Sequence, residues 1–160
     1  MSSAALLLLP ALPAGLWAAW SDLARMTIPN RAVLALLAGF ALLAPFVLDP
    51  IEIGARTFQA AVVLAGAVAL YAAGLLGAGD AKFGAAAALY VAPGDGAAFI
   101  LLLTVVVTAA FVLHRGARRL AFVRAATPRW ESWGRTEFPL GVALGPALAI
   151  HLAIASTGST

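Results

Sequence analysis

The chain has 160 residues, of which 63% are hydrophobic and 11% charged, and its formal net charge is +3. A soluble domain is nearer half apolar and a quarter charged, so this much apolar surface needs lipid as its main solvent. The absence of cysteine excludes disulfides, thiolate metal sites and cysteine nucleophiles.

The apolar runs are long and continuous, without the alternation of barrel strands, so the expected spans are helices. The composition predicts an all-α, polytopic membrane protein of about six transmembrane helices, forming one domain over residues 1–160. The first apolar segment covers 4–20. It lacks a basic n-region and is interrupted by Pro10 and Pro13, which suits a retained span better than a signal peptide. SDLARMTIPNR leads to a second segment at 31–48, and DPIEIGAR to a third at 57–76. Gly77-Ala78-Gly79-Asp80 then opens a short fourth segment, 81–93, made mostly of small residues. A span this short is expected to tilt or to lie inside the bundle. Pro93-Gly94-Asp95-Gly96 precedes the fifth segment, 97–114. A basic stretch from Arg115 to Glu137, carrying Leu120, Phe122, Trp130 and Trp133, suits a segment at headgroup depth or a plain topology-fixing loop. The sixth segment is 138–156.

Charge gives these spans a direction. The first, third and fifth connections carry Arg25, Arg31, Lys82, Arg115, Arg118, Arg119, Arg124, Arg129 and Arg135; the second and fourth carry only Arg56. The positive-inside rule turns the odd connections toward the cytoplasm and both termini outward. The basic residues match anionic lipid headgroups, and no nucleic-acid recognition module is present, so lipid is the expected contact and nucleic acid is not.

Of the seven carboxylates, Asp22 and Asp80 sit directly at cytoplasmic ends of spans, where ionisable groups are costly and mark function. Taken alone, each reads more readily as a helix cap or terminator than as a reactive group. As a pair they have a chemistry. Two neighbouring carboxylates cannot both ionise cheaply, so one holds a proton and the other a charge. The charged one can activate water and the protonated one can polarise a peptide carbonyl. Such a site needs no metal and no cofactor. His114 and His151 are expected near opposite ends of the membrane, and no zinc-protease or phosphate-loop motif occurs. Gly141 and Gly145 have the GxxxG spacing, which reads as ordinary helix packing.

At three places these residues resemble the type IV prepilin peptidases, a family of GxGD membrane aspartic proteases. DLARMTIPN, from Asp22 to Asn30, is similar to the family's first aspartate segment. Gly77-Ala78-Gly79-Asp80-Ala81-Lys82 matches its G-x-G-D-x-K. Phe138 to Gly145 resembles the proline-glycine start of its last span. The likeness is to the short form without an N-terminal cytoplasmic domain, associated with Flp-type, tight-adherence pili. It implies a bacterial inner-membrane endopeptidase that removes the basic leader from prepilins or pseudopilins at the cytoplasmic face. Asp22 and Asp80 would be catalytic. Gly77 and Gly79 would let the backbone approach the substrate, and Lys82 would hold the leader or orient a carboxylate. S-adenosylmethionine and N-methylation are not expected. The rival classes are a proton- or cation-coupled transporter and a non-catalytic subunit of a pilus or secretion assembly. A transporter would more often place its charges at mid-membrane and show repeats.

Overall fold

Residues 2–158 are described by a computed structural model, and none of them forms a strand. Seven α-helices follow one another: α1 Ser3–Arg25, α2 Asn30–Val47, α3 Pro50–Ala72, α4 Ala78–Ala88, α5 Gly96–Ala117, α6 Ala121–Ala126 and α7 Gly141–Thr157. Helix α1 starts on a cap: the Ala5 N–H donates to the Ser2 hydroxyl at 3.3 Å. It runs through Pro10 and Pro13 and ends at Met26, whose left-handed φ of 52° turns the chain out of the helix. Its buried stripe, Leu7, Ala11, Ala14 and Ala18, has helical spacing and faces α7 and α2. At the α7 contact, a Cβ on Gly15 would stand 3.0 Å from the Gly145 Cα. Two backbones meet there, which only glycine on both sides permits.

Helices α3 and α5 form the periphery. Helix α3 buries only Arg56 and Ala67, and α5 only His114. Their exposed apolar residues are the lipid-facing surface that composition demanded. Four helices are long and apolar enough to cross a membrane: α1, α2, α3 and the stretch Pro93–Ala117 that contains α5. The protein is therefore a multi-pass membrane protein. Helix α7 is a shorter apolar helix of 17 residues.

The fourth expected span needs correction in length. Helix α4 has 11 residues and packs mainly against α3 and α2 rather than crossing alone. A helix that stops within a membrane protein leaves carbonyls without partners. Here α3 supplies the donors. Gln59 Nε2 donates to the Ala88 and Val91 carbonyls at 3.0 and 3.1 Å, and Arg56 Nη1 donates to the Leu89 carbonyl at 3.2 Å. The Tyr90 hydroxyl, fully buried, donates to the Leu36 carbonyl at 2.6 Å.

The third span also begins earlier than expected, at Pro50. Its charges are absorbed within its first turns. Arg56 is 5% exposed and binds Glu52 one turn away at 2.7 Å. The only basic residue in the even-numbered connections is thus a paired helix residue.

The basic stretch after α5 is ordered rather than a plain loop. Trp133 stacks on His114 and on Trp130, and Trp130 meets the edge of Trp20 on α1. Arg115 and Arg118 donate to the Thr136 and Arg135 carbonyls. These contacts lay residues 130–140 across the α1 end of the bundle.

Candidate functional site

Asp22 lies in the last turn of α1 and is 5% exposed. Its Oδ2 accepts the Gly141 N–H at 2.8 Å. Gly141 is the first residue of α7, whose own preceding residue, Leu140, offers no side-chain cap. Asp22 therefore supplies the missing N-terminal cap from another helix, 119 residues away in sequence. A Cβ at Gly141 would lie 3.0 Å from both the Asp22 Cβ and its Oδ2, so glycine is what lets the carboxylate come so near.

Asp80 is held by a related device. Helix α4 starts at Ala78 with Gly77 as its N-cap, which makes Asp80 the third helical residue rather than the cap itself. From there its carboxylate reaches back to the Gly77 N–H, the acidic half of a capping box. A Cβ on Gly77 would stand 2.6 Å from Asp80 Oδ2, so the carboxylate occupies the space a side chain would take. The other oxygen, Oδ1, is buried and has no partner among the described residues. Burial, followed by the nearby Asp22 charge, pushes the Asp80 pKa up to about 6 against the lowering effect of the Gly77 N–H.

Both carboxylates line one cleft of about 640 Å³. Its walls are the end of α1, the Gly74–Gly77 connection and the strap before α7, which adds Arg135, Glu137, Phe138 and Leu140. Two acids from distant sequence thus share one solvent-accessible pocket. Neither forms an ion pair among the described residues, where Arg56 pairs with Glu52 and His151 lies 3.9 Å from Asp95.

The chain belongs to the type IV leader peptidase family. The family model matches residues 9–113, more than half of the chain, and the match includes both aspartates. It ends before the strap and α7, so the likeness of Phe138–Gly145 to the family's last span lies outside it. No curated protein and no solved structure matches the chain significantly. Family membership makes this a peptidase-type membrane protein, and the cleft is its candidate active site.

The other expected site residues divide. Gly77 lines the cleft beside Asp80. Gly79 does not; a Cβ there would meet Ile28 at 3.2 Å, so Gly79 serves the fit between α4 and the α1–α2 connection. Lys82 also stands outside it. Two residues along a helix is a turn of roughly 200°, which points Lys82 away from Asp80. Its Nζ donates to Asn30 Oδ1 at 3.3 Å, and it lines a separate apolar groove between α2, α3 and α4. His114 and His151 are at opposite ends: His114 stacks on Trp133 beside the strap, and His151 lies 3.9 Å from Asp95. Sequence reasoning did not single out Arg135 and Glu137 as cleft residues. Inside a long basic stretch they carried no distinguishing pattern.

Proposed function

We propose that this protein is an aspartic endopeptidase that removes the basic leader from type IV prepilins or pseudopilins at the cytoplasmic face of the bacterial inner membrane. The observation that carries the reading is the meeting of Asp22 and Asp80 in one cleft, each carboxylate held by a backbone N–H and neither paired with a cation. Family membership supports the peptidase class, and the nine basic residues on the odd-numbered connections support the cytoplasmic orientation.

The chemistry follows from sharing one proton. Asp80, with its raised pKa, holds the proton and donates it to the scissile carbonyl oxygen. Ionised Asp22 takes a proton from a water, whose oxygen adds to the carbonyl carbon. The tetrahedral species then collapses: the C–N bond breaks, and the amine leaves with the proton taken up by Asp22. The second hydroxyl proton returns to Asp80, restoring the pair. The titration belongs to the pair rather than to either member. Asp22 ends α1, a helix long and apolar enough to cross a membrane, and a cleft at such a helix end suits a bond just before an apolar helix.

Asp22→Asn and Asp80→Asn test this in a cleavage assay with a detergent-solubilised prepilin. Both variants should insert at wild-type levels and leave the substrate whole. Normal processing by either variant would refute the two-aspartate mechanism.

A further inference from the structure

The end of the bundle that carries the cleft is strongly basic. The chain order puts the nine basic residues of the odd-numbered connections at that end, from Arg25 and Arg31 to the arginines between Arg115 and Arg135. A leader that is itself basic is repelled by such a face, so its entry needs a local carboxylate. The acids available on these connections are Asp22, Asp80, Glu131 and Glu137. The first two are the reacting pair. Of the other two, only Glu137 lines the cleft.

Glu137 is well placed to act as that carboxylate. It is exposed, and no salt bridge among the described residues uses it. Its carboxylate accepts from its own N–H and from the Thr136 hydroxyl, contacts that hold it below the usual carboxylate range and keep it ionised. Its backbone is fixed on both sides. The Thr136 carbonyl accepts from Arg115 at 2.8 Å, and four residues beyond Glu137 the Gly141 N–H is bound to Asp22. The strap that holds Glu137 is therefore tied directly to one member of the reacting pair.

We infer that Glu137 is a specificity-determining residue that receives a basic side chain of the leader and so sets the register of the chain across Asp22 and Asp80. This rests on the peptidase reading above. The competing role for Glu137 is to offset Arg135, which lines the same cleft two residues away.

The experiment uses the full-length protein in detergent and two prepilin-like substrates, one with the native basic leader and one with its Lys and Arg changed to Gln. Glu137→Gln should raise KM for the basic leader about fivefold, near the upper limit for an exposed ion pair, with kcat little changed. It should leave the neutral leader unaffected, and Glu137→Lys should favour a leader carrying Glu in place of Lys. Equal loss on both leaders would overturn the assignment, as would an unchanged KM. Recovery of wild-type KM in the Arg135→Gln/Glu137→Gln double variant would show instead that Glu137 only balances Arg135. If the wild-type protein cleaves neither substrate, the peptidase reading itself fails and takes this inference with it; cleavage of both with an unchanged KM in Glu137→Gln leaves that reading standing.

Discussion

At one end of the bundle Arg56, 5% exposed, is matched to Glu52 at 2.7 Å, and His151 approaches Asp95 at 3.9 Å. At the other end Asp22 is just as buried, yet it and Asp80 have only backbone N–H partners and each other. The first arrangement is how a membrane protein makes charge tolerable: it pairs the Arg56 cation with the Glu52 anion and spends the spare donors on orphan carbonyls. The second leaves two acids without a cation in a cleft, an arrangement that stability alone does not favour. On the peptidase reading proposed above, the contrast separates structural charge from reactive charge within a single small chain.

The two ends should respond to substitution in different ways. The largest effect is expected at the acid pair. Asp22→Asn or Asp80→Asn should lower prepilin cleavage by roughly a thousandfold or more, the scale on which an essential acid or base acts. Above pH about 6, where Asp80 is ionised, Asp80→Asn also removes a desolvated charge, so its thermal midpoint in detergent should there be no lower than wild type. A lower midpoint would make Asp80 a structural residue like Arg56.

The reverse is expected at the paired end. Arg56→Met leaves the Leu89 carbonyl and Glu52 without their donor, at a cost of about 2–3 kcal/mol in unfolding free energy. Activity per folded molecule should be close to wild type when measured on the surviving fraction. Between the ends, Gly145→Ala drives a Cβ into the Gly15 backbone, an overpacking worth about 1–3 kcal/mol. Because α7 carries the N–H that binds Asp22, this variant should lose both stability and rate, and a stable but slow protein would show that the contact positions rather than holds.

The mildest probe is pH. The proposed active form has Asp80 protonated and Asp22 ionised. The pair releases its shared proton, held on Asp80, as pH rises through about 6, so kcat/KM should fall above that point, by up to tenfold per unit. A rate still rising at pH 8 would refute a pair that works with one shared proton.

Much of this was legible in the sequence, and the misses share a cause. Apolar runs located α1, α2 and α5 to within a few residues, and the two aspartates stood out because acids at span ends are costly. The start of α3 was placed late because Glu52 and Arg56 were read as loop charges, when their spacing of four lets them neutralise each other on a helix. Lys82 was grouped with Asp80 because the two are near in sequence; once α4 begins at Ala78, helix geometry turns them apart. The bond from Gly141 to Asp22 spans 119 residues and leaves no local signature. GxxxG spacing did correctly suggest packing for Gly145, while its partner Gly141 proved to matter as a donor.

The clamped end of α4 has one more consequence. Asp80 stands near one tip of an 11-residue rod, roughly 16 Å long, whose other tip is gripped by Gln59 and Arg56. The rod works as a depth gauge. It is zeroed against α3 at its C-terminal tip and sets the level of a carboxylate at its N-terminal tip. One added alanine within it would move Asp80 by about 1.5 Å and swing it by about 100°, out of register with Asp22.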